Sequence, residues 1–152
     1  MKKFSWYLFT PLEKEDIHHV QTLHIPLNEN QKAFDEQVLS LTKIIIDSLN
    51  EKKLKTEITV ELKERAKGID KFQAFLYSNK LSFPDMIQFL RDLQTLRSSG
   101  SAHRKGSKYI KAKEKFKISG DNYQTVFSEI LEEAITMFNT LEKYFINEDS
   151  SV

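Results

Sequence analysis

Apolar residues recur at helical spacing through most of the chain after residue 30. The first stripe advances in steps of three and four: Phe34, Val38, Leu41, Ile45 and Leu49. The last stripe keeps one face for about six turns: Tyr123, Phe127, Ile130, Ala134, Phe138, Leu141 and Phe145. This periodicity predicts two long amphipathic helices, each with one face in the core.

Capping residues mark where these helices and the helices between them begin. Asn30 is a plausible N-cap for the first helix, and Asp70 can cap a short helix that carries Ile69 and Phe72. Residues 82–85 read Ser-Phe-Pro-Asp, a helix start with Pro in the first turn, and residues 121–124 resemble a capping box. The charged stretch 51–67 has few apolar anchors and is either a surface helix or a loop.

The N-terminal region has a different pattern. Residues 4–9 are aromatic and favour a short strand, whereas residues 10–29 show little periodicity and predict a loop or extended arm. The sequence therefore predicts an all-α fold, an antiparallel four- or five-helix bundle with a short extended N-terminal arm. Its parts are an arm (1–29), a helical domain (30–147) and a tail (148–152). The arm is either a docking segment or the remnant of a larger protein.

Composition excludes several classes of fold and of functional site. The 152 residues include only four Gly and three Pro, which leaves little material for the many tight turns of an all-β fold. The absence of Cys excludes disulfides, thiolate metal sites and a Cys nucleophile, and it fits a cytoplasmic protein. No stretch approaches the roughly 20 apolar residues of a membrane span, so we expect no membrane association.

Charge is unevenly distributed along the chain. The net charge is +1, but residues 97–117 contain eight Lys or Arg and one acid, so this segment carries +7 and the remainder −6. Such a segment is typical of a surface that binds a polyanion. The alternative is that the acidic final helix neutralises it within the fold.

Residues 97–103, Arg-Ser-Ser-Gly-Ser-Ala-His, are the chemically specific part of the sequence. Arg97 offers a planar fork for phosphate, and His103 titrates near neutral pH. On a continuous helix the two would differ by about 9 Å in rise and about 120° in azimuth. They would therefore meet only if the helix bends at Gly100 or if a second copy of the chain completes the site.

The element Arg97-x5-His103, late in a helix of a small bundle, resembles the R-x4–6-H motif of HEPN domains (higher eukaryotes and prokaryotes nucleotide-binding). The resemblance covers about residues 30–147. It implies a metal-independent endoribonuclease, without a cofactor, that acts as a homodimer on single-stranded RNA in a prokaryotic defence or toxin context. A regulator such as an antitoxin, or a larger protein that contains the domain, would be a further partner.

The resemblance also implies roles for particular residues. The RNA 2′-hydroxyl would attack the adjacent phosphate, His103 would transfer the proton, and Arg97 would stabilise the phosphate charge. Ser98 stands where many active members have Asn, Asp or His, and it would orient one of these groups. The cations expected to contact flanking phosphates are Arg104, Lys105, Lys108 and Lys111. Some HEPN domains are instead non-catalytic dimerisation or nucleotide-binding modules, and both alternatives stay open.

Two structural alternatives concern the same residue types. Arg97 would need a partner on its apolar stripe, and acids of the final helix are candidates: Glu129, Glu132 and Glu133. His18, His19 and His24 suggest a metal site, but no nearby acid or Cys has the spacing of a ligand, so we predict none.

Overall fold

The structure, a computed structural model, describes residues 5–100 and 106–145, with only the backbone for 98–100. This part of the chain forms seven α-helices. They are α1 (His18–Thr22), α2 (Gln31–Thr42), α3 (Glu51–Glu57), α4 (Gly68–Ser78), α5 (Pro84–Gly100), α6 (Ser107–Lys115) and α7 (Tyr123–Phe145). The predicted all-α bundle is confirmed. The five helices of nine or more residues match the predicted number, and the short α1 and α3 add to them.

Side-chain caps fix several of these helix starts. The Asn30 side chain accepts a hydrogen bond from the Lys32 backbone N–H at 2.8 Å, which confirms the predicted N-cap of α2. Asp70 acts differently from the prediction, because α4 begins at Gly68 and Asp70 lies inside the first turn. From there its carboxylate accepts from the Lys67 backbone N–H at 3.0 Å. Stretch 51–67 is a helix (α3) followed by a loop.

The first long helix does not end where α2 ends but continues into a π-turn (Lys43–Asp47). A π-turn closes i→i+5 hydrogen bonds, so it contains one residue more than an α-turn and rotates the residues that follow. Ile45 and Ile46 of this turn are both buried in the core. The Ser48 hydroxyl donates to the Ile44 carbonyl and closes the end of the turn.

Ring contacts establish the helix directions. Tyr123 at the start of α7 packs on Phe34 near the start of α2, and Phe138 near the end of α7 packs on Phe9, which pairs with Leu49 just beyond the π-turn. Helices α2 and α7 are thus parallel. Helix α5 is antiparallel to α7, because Phe83 before the start of α5 packs on Tyr144 near the end of α7.

The core lies between these helices and is made of large apolar side chains. Those less than 2% exposed are Phe34, Phe72, Phe75, Phe127, Ile45, Leu54, Leu76, Leu90, Leu93, Leu96, Ile130 and Val38. They come from both predicted stripes and from the helices between them. Within the described ranges, no helix is both long and apolar enough to cross a bilayer.

The N-terminal arm lies against the bundle. Its predicted strand is reduced to one antiparallel bridge between Phe9 and Leu49, with Thr10 N–H donating to the Ser48 carbonyl at 2.7 Å. Trp6 packs edge-on against Phe75, with ring centroids 5.8 Å apart. Farther along, residues 18–22 form α1, which the weak periodicity of this stretch did not predict.

Candidate functional site

The structure describes only part of the predicted site. Arg97 lies in the last turn of α5, and Ser98 follows it in the same helix, although its side chain is outside the described part. His103, Arg104 and Lys105 also lie outside the described residues. The two remaining predicted cations, Lys108 and Lys111, are on the exposed face of α6. The sequence connects this helix to α5 through residues 101–106.

Arg97 is held by an aspartate from the π-turn. Its Nη1 donates to both carboxylate oxygens of Asp47, at 2.8 and 2.9 Å. The side chains are 28% and 34% exposed, respectively, so the pair lies at the surface of the bundle and remains reachable from solvent. The guanidinium has five N–H groups, and those on Nε and Nη2 are geometrically distinct from the nitrogen that Asp47 uses.

This pairing corrects one structural alternative. A partner for Arg97 among the acids of the final helix (Glu129, Glu132 or Glu133) was wrong, because the last turn of α5 meets the π-turn instead. Glu133 lies nearer to the first half of α5. Burial raises the pKa of its carboxyl, with smaller contributions in the same direction from Asp92 and Asp85.

Asp47 belongs to a chain of charged side chains that reaches the N-terminal arm. Lys43 Nζ lies 3.7 Å from Asp47 and 3.7 Å from Asp16. Asp16 in turn lies 3.8 Å from His19 Nε2, and His19 Nδ1 is 2.9 Å from the Ser40 hydroxyl. We call Asp16, His19, Lys43, Asp47 and Arg97 the charged network. It joins α1, the π-turn and the end of α5.

His19 brings an imidazole into this network that the motif did not point to. Burial lowers the pKa of His19 below 6.5, and the neighbouring His18, Lys43 and Arg97 lower it further, whereas Asp16 acts in the opposite direction. The ring is therefore mainly neutral at pH 7. His19 therefore contacts the Ser40 hydroxyl as a mainly neutral ring and does not add a third fixed cation to Lys43 and Arg97.

The basic helix α6 has a buried side and an exposed side. Tyr109 and Ala112 pack into the core, and Lys115 Nζ lies 2.8 Å from Asp92 of α5. Neutralisation of this segment thus comes partly from α5. Lys108 and Lys111, three residues apart, share the exposed side of the helix, where cations are accessible to an anionic partner.

Asp35 of α2 is a further carboxyl with a shifted pKa, and it lies near Tyr109 of α6. Partial burial raises the pKa of the Asp35 carboxyl from 3.8 to about 6. Burial raises the pKa values of Tyr109 and Tyr123, and the charge of Asp35 is the next largest cause in the same direction. Asp35 and the two tyrosines therefore lie near one another. Gln31 Nε2 donates to the Tyr109 hydroxyl at 2.8 Å. Nothing in the periodicity of α2 distinguished Asp35 from its exposed neighbours.

Each of the three N-terminal histidines has its own hydrogen-bond partner, and the rings of His18 and His19 lie with their centroids 4.0 Å apart. His18 Nδ1 contacts the Glu15 carbonyl at 2.8 Å, His19 contacts Ser40, and His24 Nδ1 contacts the Ile25 carbonyl at 2.7 Å. Across residues 5–100 and 106–145, no group of three or more His, Cys, Asp or Glu side chains is arranged to hold a metal ion.

Sequence reasoning missed Asp47 and the rest of the charged network. Lys43 and Asp47 are four residues apart, and Asp16 and His19 three apart, which are ordinary helical spacings. The contact that matters joins Arg97 to a residue 50 positions away. It depends on where the π-turn places Asp47, which helical periodicity does not predict.

Comparison with known proteins adds no family to this description. No protein-family model matches the chain, and no curated protein and no solved structure is significantly similar to it.

Proposed function

We propose that this protein is a HEPN-like, metal-independent endoribonuclease of the cytoplasm that cleaves single-stranded RNA and works as a homodimer. The observation that carries the proposal is the position of Arg97. It lies in the last turn of a long helix, is restrained by a carboxylate and partly exposed, and comes six residues before His103 in sequence. A restrained, accessible guanidinium is suited to an RNA phosphate.

In this mechanism the RNA 2′-hydroxyl attacks the neighbouring phosphorus, and the 5′-oxygen of the next nucleotide leaves. His103 takes the proton from the 2′-hydroxyl or returns one to the leaving oxygen, and Arg97 stabilises the charge on the phosphate oxygens. Ser98 orients one of these groups. Lys108 and Lys111, together with Arg104 and Lys105, hold flanking phosphates without reading the base sequence.

Single-stranded RNA incubated in EDTA with wild-type protein, His103→Ala and His24→Ala tests this proposal. His24 is an exposed histidine far from Arg97 in sequence and serves as the matched control. We expect the wild type and His24→Ala to cleave RNA, to leave 2′,3′-cyclic phosphate ends and to spare DNA of the same sequence. His103→Ala is expected to lose at least about 100-fold in rate. Equal cleavage by all three proteins would reject the assignment of His103.

The dimer is tested separately. Mixing inactive Arg97→Ala with inactive His103→Ala should restore part of the activity if each site takes residues from two subunits, because some mixed dimers then contain one intact site. Light scattering should give the mass of two chains. A monomeric mass for an active enzyme would remove the homodimer from the proposal.

A non-catalytic interaction or dimerisation module is the second candidate. It is favoured by the Arg97–Asp47 ion pair, which already gives the arginine a structural partner. A dimeric protein that neither cleaves nor binds RNA would support this candidate. RNA that is bound but left intact would instead indicate a binding domain that uses the exposed lysines of α6.

A further inference from the structure

We infer that Asp47 is a positioning residue that holds Arg97 by one nitrogen and leaves the rest of its guanidinium directed to an RNA phosphate. This inference rests on the proposed ribonuclease function and adds to it a residue from outside the motif. The single nitrogen Nη1 makes both contacts with the carboxylate, at 2.8 and 2.9 Å. Among the described residues the guanidinium donates through Nη1, and the N–H groups on Nε and Nη2 are the donors that a second anion would use.

Asp47 is itself restrained, which a positioning residue needs to be. It ends the π-turn, and Lys43 from the same turn lies 3.7 Å from its carboxylate. Lys43 is held in turn by Asp16, also at 3.7 Å. Since π-turns within helices are frequently found at functional sites, the irregularity of this helix is consistent with a need to place Asp47 opposite Arg97.

The contacts of Asp47 differ from those of an aspartate that serves the fold. In the described part of the chain its hydrogen bonds and ion pairs go to the side chains of Arg97 and Lys43. Asp70, which pairs with Arg91 on the same helix α5, also accepts from the backbone N–H of Lys67. Asp70 therefore caps a helix, whereas the contacts of Asp47 serve two cations.

Removal of the Asp47 charge has opposite effects on binding and on catalysis. Arg97 and Lys43 would lose a neutralising partner, so the local positive potential rises and an RNA phosphate binds more tightly. At the same time the guanidinium loses its fixed orientation, so it stabilises the transition state less well. A residue with a purely structural role would weaken both steps together.

The test compares Asp47→Asn with the wild type and with Asp70→Asn as the matched control. Cleavage of single-stranded RNA gives kcat and KM, and the same RNA with a 2′-deoxy residue at the cleavage position gives Kd without turnover. For Asp47→Asn we expect kcat to fall about tenfold and Kd to fall about threefold. Asp47→Glu should recover part of kcat, and Asp70→Asn should leave both constants within about twofold of the wild type.

Each outcome decides one of the two claims. Wild-type constants for Asp47→Asn, or a loss of both binding and turnover, would overturn the positioning role while the ribonuclease stands. A wild type that binds RNA without cleaving it overturns the ribonuclease. The positioning role then depends on Kd alone and is lost if Asp47→Asn binds no tighter. A wild type that neither binds nor cleaves RNA overturns both.

Discussion

Helix α5 carries two arginine–aspartate pairs with the same closest N–O distance of 2.8 Å, one in its middle and one in its last turn. Arg91 pairs with Asp70 and also donates to the Gln73 side chain at 3.2 Å. All of these partners are on α4, so this pair joins two antiparallel helices. Arg97 pairs with Asp47, which lies on the π-turn beside Lys43.

The difference lies in what else the aspartates contact. Asp70 accepts a backbone N–H, and this bond, together with Arg91, lowers the pKa of its carboxyl against the opposing effect of burial. Asp47 instead shares its charge between two cations, Lys43 of the π-turn and Arg97 in the last turn of α5. Two ion pairs of equal length can therefore have different roles, and the surrounding contacts, not the distance, indicate which role each has.

The largest expected effect separates the two arginines. If the proposed function holds, Arg97→Ala should reduce the rate of RNA cleavage at least about 100-fold, because it would remove the group proposed to stabilise the phosphate charge. Arg91→Ala should keep cleavage within about threefold of the wild type, since its contacts join α4 to α5. Single-turnover cleavage of one RNA by both variants makes the comparison. Similar losses in both would mean that α5 acts only as a scaffold.

The next largest effect concerns stability, and here the Arg91–Asp70 pair matters more than the Arg97–Asp47 pair. Asp70→Ala should lower the free energy of unfolding by about 1.5 kcal/mol at pH 7, because α4 loses a cap as well as an ion pair. Asp47→Ala should cost about 0.5 kcal/mol, as expected for a surface pair. Urea unfolding followed by circular dichroism measures both. A loss of stability for Asp47→Ala that exceeds the loss for Asp70→Ala would indicate that the π-turn depends on the Asp47 carboxylate.

This difference should also depend on pH. The pKa of Asp70 is lower in the folded protein than its ordinary 3.8, so its stabilisation is complete above that value and is lost as the pH falls through the folded pKa. The destabilisation by Asp70→Ala should accordingly shrink in acid. An unchanged difference between pH 7 and acid would exclude the Asp70 charge as its source.

A last effect, smaller than that of Asp70→Ala and opposite in sign, comes from Asp35, a carboxyl on α2 whose pKa is raised to about 6 by burial. Its ionisation opposes folding, so the penalty is absent below pH 3.8 and grows as the pH rises through about 6. Asp35→Asn should therefore stabilise the protein above pH 6 by about 1 kcal/mol, after allowance for its partial exposure. Thermal unfolding at pH 4 and pH 7.5 tests this, and destabilisation at pH 7.5 would contradict it.

Local signals predicted most of the fold. The stripes headed by Phe34 and Tyr123 gave α2 and α7, and the Ser-Phe-Pro-Asp sequence at 82–85 gave the start of α5. These succeeded because apolar periodicity and capping act between residues a few positions apart. The arm was less predictable. α1 lacks periodicity, and the contacts that hold this region come from elsewhere in the chain: His19 of α1 contacts Ser40 of α2, and Asp16 before α1 lies near Lys43 of the π-turn.

The sequence by itself determined that the chain forms a helical bundle and that Arg97 closes a helix before a basic segment. Only the tertiary structure decided that this arginine pairs with Asp47. It also decided that Lys43 and Asp16 extend the contact to the N-terminal arm, where His19 lies 3.8 Å from Asp16. The physical reason is range. Helical periodicity is set by neighbours within one or two turns, whereas an ion pair between residues 50 positions apart depends on how whole helices pack.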